Sequence, residues 1–252
     1  MKLATFQIAW STSVALLACV LPATAQDVPG RPLPFEDAKL RLGLQSAPAP
    51  LSAQERIYLG QVAPQGAYPF MVALIHREAP ATEEGQFKGQ FCGGTLISDR
   101  WVVTAAHCVT GEDSQKKEGD FPVSLRHVSL DIMDSEVCNA NIIKYFVSTH
   151  VDWLQRFLEL GDDVVEQIRP LLEARARRFV TANMICSGKL RTRRDVCHGD
   201  SGGPLMSKRP DGTFVQVGIV SWGASCGLGE QGVHSVFTRV SQFTPWVREQ
   251  MK

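Results

Sequence analysis

Ser201 is the residue around which chemistry can be built. It lies in Asp195–Leu205, DVCHGDSGGPL, between Asp200 and the pair Gly202-Gly203, with Cys197 four residues upstream. A serine hydroxyl attacks a carbonyl effectively only when a base takes its proton and donors wait where the carbonyl oxygen turns anionic. Gly199, Gly202 and Gly203 let the backbone turn sharply enough for N–H groups to point at one spot beside the hydroxyl. Together these residues fit acyl transfer.

The serine stretch closely resembles the nucleophile motif of trypsin-like (chymotrypsin-family) serine proteases, and Thr104–Cys108 resembles that family's histidine motif. A bare Gly-x-Ser-x-Gly also occurs in α/β-hydrolases, whose acid and histidine follow the serine. Asp211 and His234 follow here, but the 51 residues after Ser201 are too few for the rest of that fold. The resemblance therefore implies an all-β, two-barrel chymotrypsin-like fold with a C-terminal helix. It makes Ser201 the nucleophile, His107 the general base, and the N–H groups of Gly199 and Ser201 the oxyanion hole. Asp195, six residues before Ser201, takes the place at the base of the primary specificity pocket. Gly223 and Gly232 take the places whose small size keeps that pocket open. A buried carboxylate there selects guanidinium or ammonium, so the resemblance implies cleavage after Arg or Lys. Ser221-Trp222-Gly223, in the run Gly218–Gly223, resembles the strand along which substrates pair by backbone hydrogen bonds. His198 and His234 depart from common family residues at the pocket's rim and wall.

Composition bounds the setting. The chain has 252 residues and 26 basic against 26 acidic side chains, which gives no electrostatic reason to expect nucleic acid or an acidic membrane surface. Lys2, the apolar run Val14–Leu21 and Ala23-Thr24-Ala25 read as a signal peptide over 1–25, leaving no membrane span after cleavage. An alternative is a lipoprotein signal ending at Cys19. Six cysteines then remain, an even number that suits disulfides in a secreted, extracellular or periplasmic protein. Their count allows 15 connectivities. The resemblance selects Cys92–Cys108, Cys138–Cys186 and Cys197–Cys226. No repeated His or Cys spacing points to a metal, and the reaction implied needs no cofactor. The expected partners are protein or peptide substrates and an activating protease. Residues 26–56, rich in Pro, Gly and Ala, read as a linker or a propeptide ending at Arg56, followed by the protease domain over 57–252. In the family a cut at such an arginine frees an isoleucine ammonium, here Ile57, which pairs with the aspartate before the serine, here Asp200. Tyr58-Leu59 departs from the usual Val-Gly.

The positioning elements are β-rich runs: Tyr68–Ile75, Gln90–Ile97, Trp101–Cys108, Val128–Asn139, Thr181–Gly188 and Gly218–Gly223. The helix at the end is expected over Ser241–Lys252, with Ser241 as N-cap and Trp246 as a packing residue. Between them the family pattern breaks. The family orders its triad His, Asp, Ser, with about 45 and then about 95 residues between them. Here His107 and Ser201 are only 94 positions apart, so the back of the first barrel and the strand carrying the Asp are missing. Asp131 lies in a sequence echo of the family's acid motif, Asp152 at the right count, and Asp113 and Asp120 in a polar loop; none is identified as the orienting acid. In proteases of this kind, losing that carboxylate's function lowers kcat about 10⁴-fold. Three alternatives follow: a working site rearranged, a non-catalytic homologue that binds peptides, or a sequence that has lost a segment. In compensation, 47 residues separate Cys138 from Cys186. Within 139–180 apolar residues from Val151 to Leu172 recur at helical spacing with a break at Gly161, which predicts a helical insertion. Its apolar stripe either packs on the body or serves as an edge cover or exosite. Arg175, Arg177, Arg178, Arg191, Arg193 and Arg194 are read as a solvated basic face.

Overall fold

The computed structural model describes residues 57–77, 79, 82, 85, 88–110 and 124–252. The signal peptide with Cys19, the propeptide with Arg56, and Asp113 and Asp120 lie outside the described residues. The described elements run, in chain order, β1 (Ile57–Tyr58), β2 (Gln61–Val62), β3 (Met71–Ile75), β4 (Gln90–Leu96), β5 (Val102–Val103), β6 (Arg126–His127), β7 (Asp131–Met133), α1 (Ser135–Leu158), α2 (Asp162–Arg175), β8 (Met184–Gly188), β9 (Asp195–Val196), β10 (Pro204–Lys208), β11 (Phe214–Trp222), β12 (Ser235–Arg239) and α3 (Thr244–Gln250).

All the strand pairs are antiparallel, and the main sheet has the order β10-β11-β12-β8-β7. Side chains alternate across a strand, so both faces of this sheet are put to use. On one face Cys186 and Val236 join Cys138, Ile142, Val180 and Val233 in a core under α1. On the other, Ile185, Val220 and Phe237 pack with Leu130, Val196 and Leu205. The N-terminal half is smaller: β3-β4-β5 form a three-stranded sheet, and β1-β9 and β2-β6 are two-stranded ribbons. Three strands are too few to wrap around a core, and among the described residues no sheet closes into a barrel. The abbreviated first half expected from the sequence is what the topology shows.

Several elements differ from expectation in ways with local causes. The run Trp101–Cys108 leaves strand after Val103 and enters a 3₁₀ turn at Ala106–Cys108, which lifts His107 off the sheet. The run Val128–Asn139 keeps only Asp131–Met133 as strand, because Asp134 caps a helix. Its carboxylate accepts the Glu136 and Val137 N–H groups at 2.9 and 3.0 Å, satisfying donors that a helix start leaves open. The insertion thus begins at Ser135, before Cys138. It breaks where expected: Glu159 takes a left-handed conformation and Gly161 caps α2. Ile142, Val151 and Val165 are buried, whereas Phe157, Leu158, Leu171 and Leu172 stay exposed. At the C-terminus, Ser241 lies in a 3₁₀ turn and Phe243 precedes α3, while Trp246 is 58% exposed rather than packed.

The structure closes Cys92–Cys108, Cys138–Cys186 and Cys197–Cys226. No helix among the described residues is long and apolar enough to cross a membrane.

Candidate active site

The loop bearing Ser201 is docked onto the turn bearing His107 through glycines that admit no side chain. Gly202 has φ +79°, and a Cβ there would fall 2.2 Å from Thr104 Oγ1 and 2.5 Å from the Gly93 carbonyl oxygen. Thr104 Oγ1 donates to that same carbonyl at 2.8 Å, and the Gly93 N–H donates to the Ser201 carbonyl at 2.7 Å. A Cβ on Gly93 would in turn meet the Gly203 backbone at 3.2 Å. Thr104 is three residues from His107, so a chain of backbone contacts ties the nucleophile's loop to the base's turn. Both Ser201 and His107 are half-buried.

The turn itself is tight and internally hydrogen-bonded. Gly199 has φ +89°, where side chains are strained, and the Asp200 N–H returns to the Cys197 carbonyl at 3.1 Å. Gly202 donates to Val220 and Gly203 to Asp200, both at 2.9 Å, while the N–H groups of Gly199 and Ser201 meet no backbone carbonyl among the described residues. An oxyanion hole needs two donors kept from internal partners, and these two fit. Asp200 Oδ2 accepts the Cys197 N–H at 2.8 Å. Cys92–Cys108 lies beneath His107, whose ring nitrogen comes within 4.8 Å of both sulfurs. The sulfurs are spent in the disulfide, so this group has no thiolates to offer a metal.

Asp195 lies at the buried end of the site, 2% exposed, on β9. Burial pushes its carboxyl up to about 6, against hydrogen bonds from Ser235, Val196 and Gly227 that pull it down. Gly223 stands nearby, and a Cβ there would lie 3.3 Å from Ser235 Oγ. The residue facing both Asp195 and Gly223 is therefore Ser235, and not Gly232, to which the sequence assigns that wall. Gly232 instead closes a 3₁₀ turn with φ +73°, its carbonyl accepting from Asn141 Nδ2 of α1 at 2.9 Å. Ser221 and Trp222 end β11, which pairs with β12 along Gly218–Trp222 and with β10 along Phe214–Ile219. His234 is buried against Gly188, its Nε2 has no partner among the described residues, and burial pulls its pKa down. His198 stays near the serine turn by sequence.

Ile57–Tyr58 pairs with Asp195–Val196, Ile57 opposite Val196 and Tyr58 opposite Asp195. The Tyr58 ring lies 4.8 Å from the Arg193 guanidinium, and a Cβ on Gly227 would meet it at 3.0 Å. Of the four acids weighed as replacements for the triad Asp, the two among the described residues are engaged elsewhere. Asp131 pairs with Lys189 at 3.0 Å and Asp152 with Arg169 at 3.0 Å.

The family model described as Trypsin matches this chain in two segments, residues 57–117 and 109–247. The chain belongs to the trypsin family. It is 27% identical to coagulation factor IX of Cavia porcellus over 241 residues, covering 76% of this chain and 80% of the relative. It is 28% identical to tissue-type plasminogen activator of Homo sapiens over 264 residues, covering 79% of this chain and 45% of that protein. An alignment of 241 positions on 76% of a 252-residue chain must open wide gaps in it, which accords with the short interval between His107 and Ser201. Within the trypsin family the structure thus has a complete serine loop beside a shortened histidine half. Sequence reading missed Ser235 and Asn141. The first was hidden because the β12 register, Ser235 opposite Ser187, sets which residue faces Asp195. The second sits 91 positions from the loop it holds.

Proposed function

We propose that this chain is a secreted serine endopeptidase that cuts after a basic residue and is held as a zymogen until cleaved after Arg56. The observation that carries this is the docking of the Ser201 loop on Gly93 and Thr104, beside His107, with Asp195 buried six residues upstream. Ser201 Oγ attacks the peptide carbonyl carbon while His107 takes its proton. The carbonyl oxygen, now anionic, accepts from the Gly199 and Ser201 N–H groups. Collapse of the tetrahedral adduct breaks the C–N bond, and His107 returns the proton to the leaving amine. Water then repeats the sequence and frees Ser201. Substrate backbone pairs beside Ser221–Gly223, and its basic side chain reaches Asp195.

Activation is supported by the ribbon β1-β9. A cut after Arg56 leaves a free ammonium on Ile57, which lies opposite Val196 at the start of the Cys197–Ser201 loop, and Asp200 is the carboxylate it pairs with. The three disulfides fit an oxidising compartment. A second reading, a module that binds basic peptides without cutting them, is favoured by the three-stranded histidine half.

The deciding test incubates the chain, cut after Arg56, with Lys- and Arg-terminated chromogenic amides beside an identically prepared Ser201→Ala protein. Hydrolysis that disappears in the variant is the expected result. Equal background in both folded proteins selects the binding module.

A further inference from the structure

We infer that Ser235 is a specificity-determining residue that makes the Asp195 site a seat for a primary ammonium, as on lysine, in preference to a guanidinium. The inference rests on the proposed basic-residue specificity and goes further, because it separates the two basic side chains.

Hydrogen-bond capacity decides it. Each oxygen of a carboxylate has room for about two donors. Asp195 Oδ1 already accepts Ser235 Oγ at 2.7 Å and the Val196 N–H at 2.8 Å, so it is full. Oδ2 accepts only the Gly227 N–H, at a long 3.3 Å, and keeps capacity for one strong donor. A guanidinium binds a carboxylate best through two parallel N–H···O bonds, one to each oxygen. That fork finds Oδ1 closed.

An ammonium needs no fork. It is a compact charge with three donors that turn to suit their surroundings. It can give one proton to Oδ2 and a second to Ser235 Oγ, whose own proton is committed to Asp195 and whose lone pairs are available. Space points the same way. A Cβ on Gly223 would lie 3.3 Å from Ser235 Oγ, so the hydroxyl occupies space between Gly223 and Asp195 that a planar guanidinium would need more than a compact ammonium. A glycine at 235 would remove both obstacles at once.

The test measures binding of benzylammonium and benzamidinium, similar in size but differing in head group, to the chain cut after Arg56 and to identically cut Ser235→Ala and Ser235→Gly proteins, by calorimetry at pH 8. Wild type is expected to bind benzylammonium more tightly. Either variant should shift the ratio toward benzamidinium about tenfold or more, the scale of one charge-assisted hydrogen bond. Using both variants guards against one failing to fold. Tighter benzamidinium binding by wild type overturns the inference, as does a ratio unmoved by both substitutions. Wild type binding neither cation also overturns it. Hydrolysis is scored separately. If the ammonium preference and its reversal appear without any Ser201-dependent cleavage, the endopeptidase proposal fails and the assignment of Ser235 stands. Hydrolysis that favours Arg amides in wild type sinks the assignment and leaves the endopeptidase in place.

Discussion

Asp195 concentrates the residue-scale energetics. Its carboxyl titrates near 6 when folded, against 3.8 as an ordinary aspartate, with burial as the leading cause. The folded state therefore holds this proton more tightly than the unfolded chain. Its contribution to stability is complete below about 4 and is lost as pH rises through about 6. Above that, the free site carries a buried charge without a cation, a deficit of about 3 kcal/mol. Asp195→Asn should recover most of it: urea unfolding of the free protein at pH 7.5 should show the variant more stable by 1–3 kcal/mol (roughly, from the same linkage), and the gap should close by pH 4. His234, lowered by burial, works in the opposite direction and costs stability as pH falls. A variant that is no more stable than wild type at pH 7.5 would mean that Asp195 is not desolvated.

At the scale of elements, α1 and its flanks hold the specificity end of the molecule. Asn139 Oδ1 accepts the N–H groups of Phe179 and Val180 at 2.8 and 3.0 Å and so pins the segment after α2 to the first turns of α1. Val180 is fully buried, so Asn139→Ala leaves donors with no partner and should cost about 2 kcal/mol in urea unfolding. Asn139→Asp, which keeps the acceptor, should cost less. Asn141 reaches the other way, to the Gly232 carbonyl on the loop leading into β12. Asn141→Ala should therefore raise KM for basic amides several-fold with a smaller change in kcat, because it loosens the loop beside Asp195 and leaves Ser201 and His107 untouched. An unchanged KM would detach the insertion from substrate binding.

Among the described residues the N-terminal half of the molecule is short of core, and cross-links make up part of the difference. Cys92 and Cys108 are most of the buried cluster around the histidine turn, with Ala105. Cys138–Cys186 spans 48 positions and joins α1 to β8 within the larger core. Chain-entropy reasoning gives the longest loop the largest effect, so replacing this pair by alanine should cost about 4 kcal/mol and exceed the loss from the 29- or 16-position bridges. Thermal unfolding of the three paired variants checks the order.

The sequence by itself determined the family, through its serine and histidine motifs, the three-bridge cysteine framework that the family resemblance supplies, and the break between two insertion helices. The helix break is local, since Gly161 acts as a cap beside its own helix, and the motifs are read as contiguous stretches whatever they go on to touch. The helix that holds Cys138, capped by Asp134, and the 3₁₀ turn that holds His107 likewise have local causes. Tertiary structure decided what depends on partners far away in the chain. It set Ser235 rather than Gly232 against Asp195. A one-residue change of register reverses every side chain on a strand, so which residue of β12 faces the carboxylate follows from its pairing with β8 and β11. Spacing along the chain does not contain that information.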